Sequence, residues 1–185
     1  MMPDLATHLL EIIQNSIAAG ARNVCIRVLE SIVSNTIVME VEDDGKGMSE
    51  ETVRSVTDPF TTSRTTRKVG LGTSFLKGLT DACDGSLSIE SELGKGTTVT
   101  AKVRRDHIDL PGMGDFGEMI MICIQGAEEC DIRFEYGVDE NRFLFDTAEV
   151  KEMLEGVSIV EPEILIWLPV VACLALAAFL VPKNL

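Results

Sequence analysis

The sequence predicts a two-layer α/β (α+β) sandwich, a mixed sheet with helices on one face, followed by a small acidic α+β appendage. Three observations carry this. Residues 1–105 run helix, two strands, helix, loop, helix, two strands. The strands of each pair are separated by a few turn residues, which favours antiparallel neighbours. The charge is uneven: residues 1–105 hold 12 Lys/Arg against 14 Asp/Glu, and residues 106–185 hold 4 against 16, so most of the net −14 lies in the second part.

In "LLEIIQNSIAAGAR", residues 9–22, Leu9, Ile12, Ile13 and Ile17 recur at helical spacing and form an apolar stripe. Glu11 and Asn15 lie four apart, which stacks a carboxylate and a carboxamide on one flank of that helix. "RNVCIRVLES" and "NTIVMEVEDD" alternate and are rich in Val and Ile, as strands are, with Ser34-Asn35 as turn chemistry between them. "SEETVRSV" reads as a short helix capped by Ser49 with two Glu in its first turn. Residues 61–68, "TTSRTTRK", lack apolar periodicity and read as a loop. "GLGTSFLKGLTDACDG" is a glycine-rich turn entering a helix that stops at Gly85. "SLSIESE" and "GTTVTAKV" form a hairpin across Gly94-Lys95-Gly96.

From residue 106 the texture changes. "DHIDLPGMGD" has the Pro and Gly of a linker. Residues 115–126 are apolar and read as helix in preference to strand, and "DIRFEYGVDENRFLFD" alternates across a turn as a hairpin. Asp146, with Glu149 three positions on, resembles a capping box opening a short helix. The expected units are residues 1–105, 106–163 and an apolar tail at 164–182.

Composition excludes several classes. An acidic chain repels the phosphates of DNA and RNA, so no nucleic-acid partner is expected. Five cysteines without a CxxC pair argue against a zinc site or a disulfide framework and fit a reducing cytosol. No basic stretch followed by an apolar run opens the chain, so a cytoplasmic location is expected.

Three stretches join Glu11 and Asn15. In "EDDGKGM", residues 42–48, the carboxylate of Asp43 follows a strand and precedes Gly45 and Gly47. A carboxylate there can accept from an exocyclic amine, and glycine lets a flat ligand approach the backbone. In "KVGLGTSFLKG", residues 68–78, Gly70 and Gly72 precede a helix whose free N–H groups and dipole favour phosphate. No Walker or Rossmann spacing is present. In "GKGTTV", residues 94–99, Thr97 alternates in phase with Val99, and its hydroxyl could bond the same carboxylate. Each stretch alone is also ordinary turn or cap chemistry.

The ordered set E-x-x-x-N, D-x-G-x-G, DPFTTS, G-L-G-T and G-K-G-T-T-V resembles the superfamily of gyrase, heat-shock chaperone, histidine kinase and MutL ATPases, over residues 4–105. "QNSIAAGA" looks most like MutL, and "DPFTTSR", "VGLGTSFLKG" and "GSLSIESELGKGTTVTAKV" most like sensor-kinase ATP domains. The resemblance implies a Bergerat-type ATP-binding fold with ATP and Mg2+ as ligands. It implies that Asp43 reads the adenine amino group with support from Thr97. Gly45 and Gly47 would line the adenine loop, with Met48 against the base. Asn15 would ligate Mg2+ and Glu11 would be the general base. Phe60 would flank a lid at about residues 61–69. Lys68, Gly70, Gly72 and Thr73 fall on the phosphate-side run, where Lys68 replaces a first glycine of the kinases. Ala18 replaces an acidic residue of MutL. No hairpin with a phosphoacceptor histidine precedes these motifs; His8 reads as a structural helix residue and His107 as a solvated linker residue.

These points give two expectations. One is a module that hydrolyses ATP or phosphorylates a protein partner, in the manner of anti-sigma kinases, and is not a self-contained histidine kinase. The other is a nucleotide-dependent binding switch; Glu11 favours the first, because a switch has no use for a base. Residues 164–182 carry no charge over 19 residues. A helix of that length spans about 28 Å, so it reads either as a membrane anchor or as a helix buried in a partner or homo-oligomer interface.

Overall fold

The computed structural model describes residues 3–57 and 71–167. Its elements are α1 (Leu5–Ala18), β1 (Asn23–Ser31), β2 (Thr36–Asp43), α2 (Glu50–Thr57), α3 (Leu71–Ala82), β3 (Ser86–Glu92), β4 (Gly96–Arg104), α4 (Phe116–Gly126), β5 (Asp131–Val138), β6 (Asn141–Asp146) and α5 (Thr147–Met153). Lid residues 61–69, Phe60, Lys68, Gly70 and the tail from 168 onward lie outside the described residues.

Helix α1 begins where the Asp4 carboxylate accepts from the Thr7 N–H at 2.8 Å, which satisfies one of the free donors of the first turn. Leu5, Leu9, Ile12 and Ile13 then turn one stripe inward and are fully buried. The Ser49 hydroxyl caps α2 by accepting from the Thr52 N–H at 3.3 Å. Asp115 and Asp146 likewise cap α4 and α5, accepting from the backbone N–H of Glu118 and Ala148.

The sheet has six strands in the order β3-β4-β2-β1-β5-β6. Four pairings are antiparallel, and β1 with β5 is parallel, so the sheet is mixed as expected. Helix α1 lies over its middle with α3 on one side and α4 on the other. Alternate residues Val24, Ile26 and Val28 of β1, Ile37, Met39 and Val41 of β2, and Ile132 and Phe134 of β5 are buried beneath these helices. The opposite face is polar, with Arg27 paired to Glu40 and, at 3.1 Å, to Glu42.

Residues 106–163 have the helix and hairpin expected of them, and they are built into the same sheet. The ladder from Asn23↔Asp131 to Glu30↔Val138 closes the free edge of β1. Parallel strands need a long crossover, and the stretch containing α4 provides it. A buried polar clasp fastens the join. Glu30 of β1, 7 % exposed, accepts from the Tyr136 hydroxyl of β5 and from Arg105 Nε at 2.9 Å. Burial, with the Glu30 carboxylate beside it, pushes the Tyr136 hydroxyl well above its ordinary pKa.

Residues 162–167 form a further helical turn on which Ile166 and Trp167 are exposed. Among the described residues no helix is long and apolar enough to cross a membrane.

His8 is buried on α1, and its Nδ1 has no hydrogen-bond partner among the described residues. Burial lowers its pKa from 6.5, with Asp4 pulling the other way. The unfolded chain therefore binds this proton first, and stability falls as pH drops below 6.5 toward the folded-state pKa. Denaturant midpoints of wild type should fall more steeply than those of His8→Leu between about pH 7 and pH 5. Parallel curves would contradict this.

Candidate functional site

Asp43 closes β2 in phase with the buried Met39 and Val41, so its side chain points toward α1. There the Ser16 hydroxyl donates to Asp43 Oδ2 at 2.6 Å, and the Gly45 N–H donates to Oδ1 at 2.9 Å. Ser16 is itself buried in the last turn of α1. The neighbouring Asp44 points elsewhere. Its carboxylate accepts from the backbone N–H of Arg22 and Asn23 and from the Asn23 side chain, all within 2.9 Å. Burial tends to raise the Asp44 pKa, but these bonds outweigh it and hold it below the ordinary value. The two aspartates are therefore not equivalent: Asp44 ties the start of β1 to the end of β2, and Asp43 faces the helix layer.

Gly45, Gly47 and Met48 form the loop that follows. The Lys46 N–H bonds Ala19 O at 3.1 Å, which holds the loop against the end of α1. Gly47 has φ +64, and a Cβ there would lie 2.0 Å from the Glu92 carbonyl oxygen, so only glycine fits. The Met48 N–H donates to Ser91 Oγ at 2.8 Å. Thr97 pairs with Asp43 across β2 and β4, as its phase suggested. Its hydroxyl bonds Ser91 Oγ at 2.9 Å, and not the Asp43 carboxylate. This corrects the expected contact. Ser91 Oγ also donates to Gly96 O at 2.9 Å, so it occupies the Thr97 hydroxyl and locks the loop to the β3–β4 hairpin.

A second cluster lies farther back on α1. A Cβ on Gly72, in the first turn of α3, would sit 2.8 Å from Glu11 Cβ and 3.5 Å from Asn15 Nδ2. The start of α3 is thus pressed against the flank carrying the half-buried Glu11 and Asn15, and any side chain at residue 72 would push it away. Thr73 is buried beside this contact. Glu11 and Ser16 are five residues apart, about 7–8 Å along the helix axis. One helix therefore presents the Asp43 cluster at its end and the Glu11/Asn15 cluster in its middle.

Among the described residues, no group of three His, Cys, Asp or Glu is arranged to hold a metal. A cation at Asn15 would have to draw its other oxygen ligands from a bound anion or from water. His107 is half-buried, not solvated, and its Nδ1 accepts from the Asp109 N–H at 3.1 Å. Sequence reasoning missed Ser16 and Ser91. Ser16 follows Asn15 and faces inward, but its role depends on Asp43, 27 residues away.

Residues 3–107 match the family described as histidine kinase-, DNA gyrase B- and HSP90-like ATPase. The chain belongs to this ATPase family. Its domain is an ATP-binding domain of the type typical of histidine kinases. Sporulation kinase C of Bacillus subtilis is 31 % identical over 88 residues, which covers 48 % of this chain and 20 % of that protein. The non-motile and phage-resistance protein of Caulobacter vibrioides is 32 % identical over 117 residues, covering 58 % of this chain and 14 % of that protein. The chain thus matches a fifth or less of these relatives' length. In fold, the chain is similar to the N-terminal domain of a DNA repair protein, with TM-score 0.50 and 19 % identity, covering 77 % of this chain and 52 % of that one.

If Ser16 orients Asp43, Ser16→Ala removes a donor from a partly buried carboxylate. The expected loss of folding stability is about 1–3 kcal/mol in urea unfolding. A change below about 0.5 kcal/mol, the usual range for an incidental surface contact, would show that the bond contributes nothing.

Proposed function

We propose that the chain binds Mg-ATP along α1 and either hydrolyses it or passes the γ-phosphoryl group to a protein partner. The observation that carries this is the placement of Asp43 at one end of α1 and of Glu11, Asn15 and Gly72 near its middle. Asp43 keeps lone pairs beyond those used by Ser16 and Gly45, and a carboxylate can accept only. It would therefore receive the adenine amino group. Gly45 and Gly47 keep the loop thin, and Met48 offers an apolar contact to the base. The N-terminal N–H groups of α3 would face the phosphates, together with Lys68, Gly70 and Thr73. Phe60 would stand beside the lid at 61–69.

Asn15 offers a carboxamide oxygen, the hard donor that Mg2+ prefers. When bound, Mg2+ would offset triphosphate charge. Glu11 would take the proton of the attacking water or partner hydroxyl as its oxygen bonds the γ-phosphorus and the bridging P–O bond to ADP breaks. The family membership supports nucleotide binding; the hydrolytic or phosphotransfer step rests on Glu11. A location in the cytoplasm, with attachment to a membrane or to a second copy through residues 164–182, belongs to the same reading.

Glu11→Ala should keep ATP affinity and lose about 100-fold or more in turnover. Asn15→Ala should lose Mg2+-dependent binding as well. Calorimetric titration and phosphate release on the same samples check both. Equal loss of affinity in the two variants would make Glu11 a ligand-holding residue. ATP binding by wild type without turnover, alone or with a partner, would replace catalysis by a nucleotide-gated binding switch.

A further inference from the structure

We propose that the groove between the first turns of α1 and α4 docks a helix of another protein that presents a Lys or Arg beside an apolar side chain. The groove has a volume of about 160 Å³, with Leu10 of α1 and Met119 and Ile122 of α4 as its apolar walls. The carboxylates Asp4, Asp115 and Glu118 line it as well, with Thr7. Small-molecule pockets usually enclose about 300–1,000 Å³, so this one suits a single long side chain from a partner helix. Leu10, Met119 and Ile122 offer contact to the aliphatic stem of a Lys or Arg, and the carboxylates lie where its charged end would reach.

The walls are fixed before anything docks. The Leu5 N–H donates to Gly112 O at 3.0 Å and the Ala6 N–H to Met113 O at 2.9 Å, which ties the start of α1 to the approach to α4. Asp4 and Asp115 each spend one oxygen on a helix cap, at 2.8 and 2.9 Å. Glu118 is exposed and caps nothing. Among the described residues, no Lys, Arg or His forms an ion pair with any of the three. Asp4 and Asp115 are partly offset by the helix ends they cap, and Glu118 is not. With no such ion-pair partner among the described residues for any of the three, charge complementarity selects a basic occupant.

Position adds a consequence. Helix α4 lies beyond residues 3–107, so half of the groove is built by the part of this chain outside the matched family region. Leu10 immediately precedes Glu11. An occupant would bear on the helix that carries the proposed base, without touching the nucleotide cluster.

The test uses the full chain and a fluorescent, helix-forming peptide with Lys at i and i+4 flanking a Leu, beside the same peptide with Glu for Lys. The Lys peptide should bind saturably and more weakly as salt rises, and the Glu peptide should not bind. Glu118→Lys should weaken binding at least tenfold, with ATP affinity unchanged. Backbone amide shifts should centre on Thr7, Leu10 and Ile122. Failure of the Lys peptide to bind, unchanged affinity in Glu118→Lys, or shifts centred on the Glu40/Glu42 face would overturn the proposal. So would a photo-cross-link from residue 122 to residues 168–185 or to a second copy, which would mean that this chain fills its own groove. None of these results bears on nucleotide binding, which the Glu11 and Asn15 titrations decide separately.

Discussion

The hydrogen bond from Ser16 to Asp43 fixes the end of α1 over the end of β2, and the rest of the site takes its position from that contact. With α1 anchored there, Lys46 can bond Ala19 and the Gly45–Met48 loop is held at the helix end. The same anchoring sets where Glu11 and Asn15 stand relative to the start of α3, because a helix has a fixed rise and turn. Gly72 completes the arrangement: without a Cβ, α3 can lie against Glu11. The helix thereby sets the spacing between the Asp43 cluster and the Glu11/Asn15 cluster, the two ends proposed for Mg-ATP.

That spacer is held from both sides. Helix α3 buttresses one flank, and α4 with strands β5 and β6 extends the core under the other. Phe116 of α4 packs on Phe134 and Tyr136 of β5, with ring centroids 5.2 and 5.8 Å apart. The Glu30–Tyr136–Arg105 clasp joins β5 to β1 and to the end of β4. The acidic second part thus serves the ATPase domain structurally by closing its sheet, whatever else its charge recruits.

Much of this was legible in the sequence because the signals are local. Alternation in "RNVCIRVLES" and "NTIVMEVEDD", the Ser49 cap and the Gly94–Gly96 turn each read out a neighbouring few residues. The candidate site reads as an ordered set of short motifs; the structure places Gly72 against Glu11 and Asn15, and Thr97 opposite Asp43. What escaped was contact between distant residues. The parallel register of β5 on β1 joins residues over 100 positions apart, and a linker-like stretch with Pro and Gly reads as a boundary whether or not the sheet continues beyond it. Strand phase and the family resemblance both point the Thr97 hydroxyl at Asp43. The phase is right, but Ser91 sits on the neighbouring strand and bonds the hydroxyl first.

The central claim is that Asp43 reads an amino group on a bound purine. Titration of the full chain with Mg-ATP and, in parallel, with Mg-inosine triphosphate tests it most directly. Inosine carries a carbonyl oxygen where adenine carries its amine, so an acceptor-only carboxylate gains a bond with one and faces a second acceptor in the other. A hydrogen bond to a charged group contributes about 1.5–3 kcal/mol, so ATP should bind at least about tenfold more tightly. Equal affinities for the two nucleotides would contradict the account.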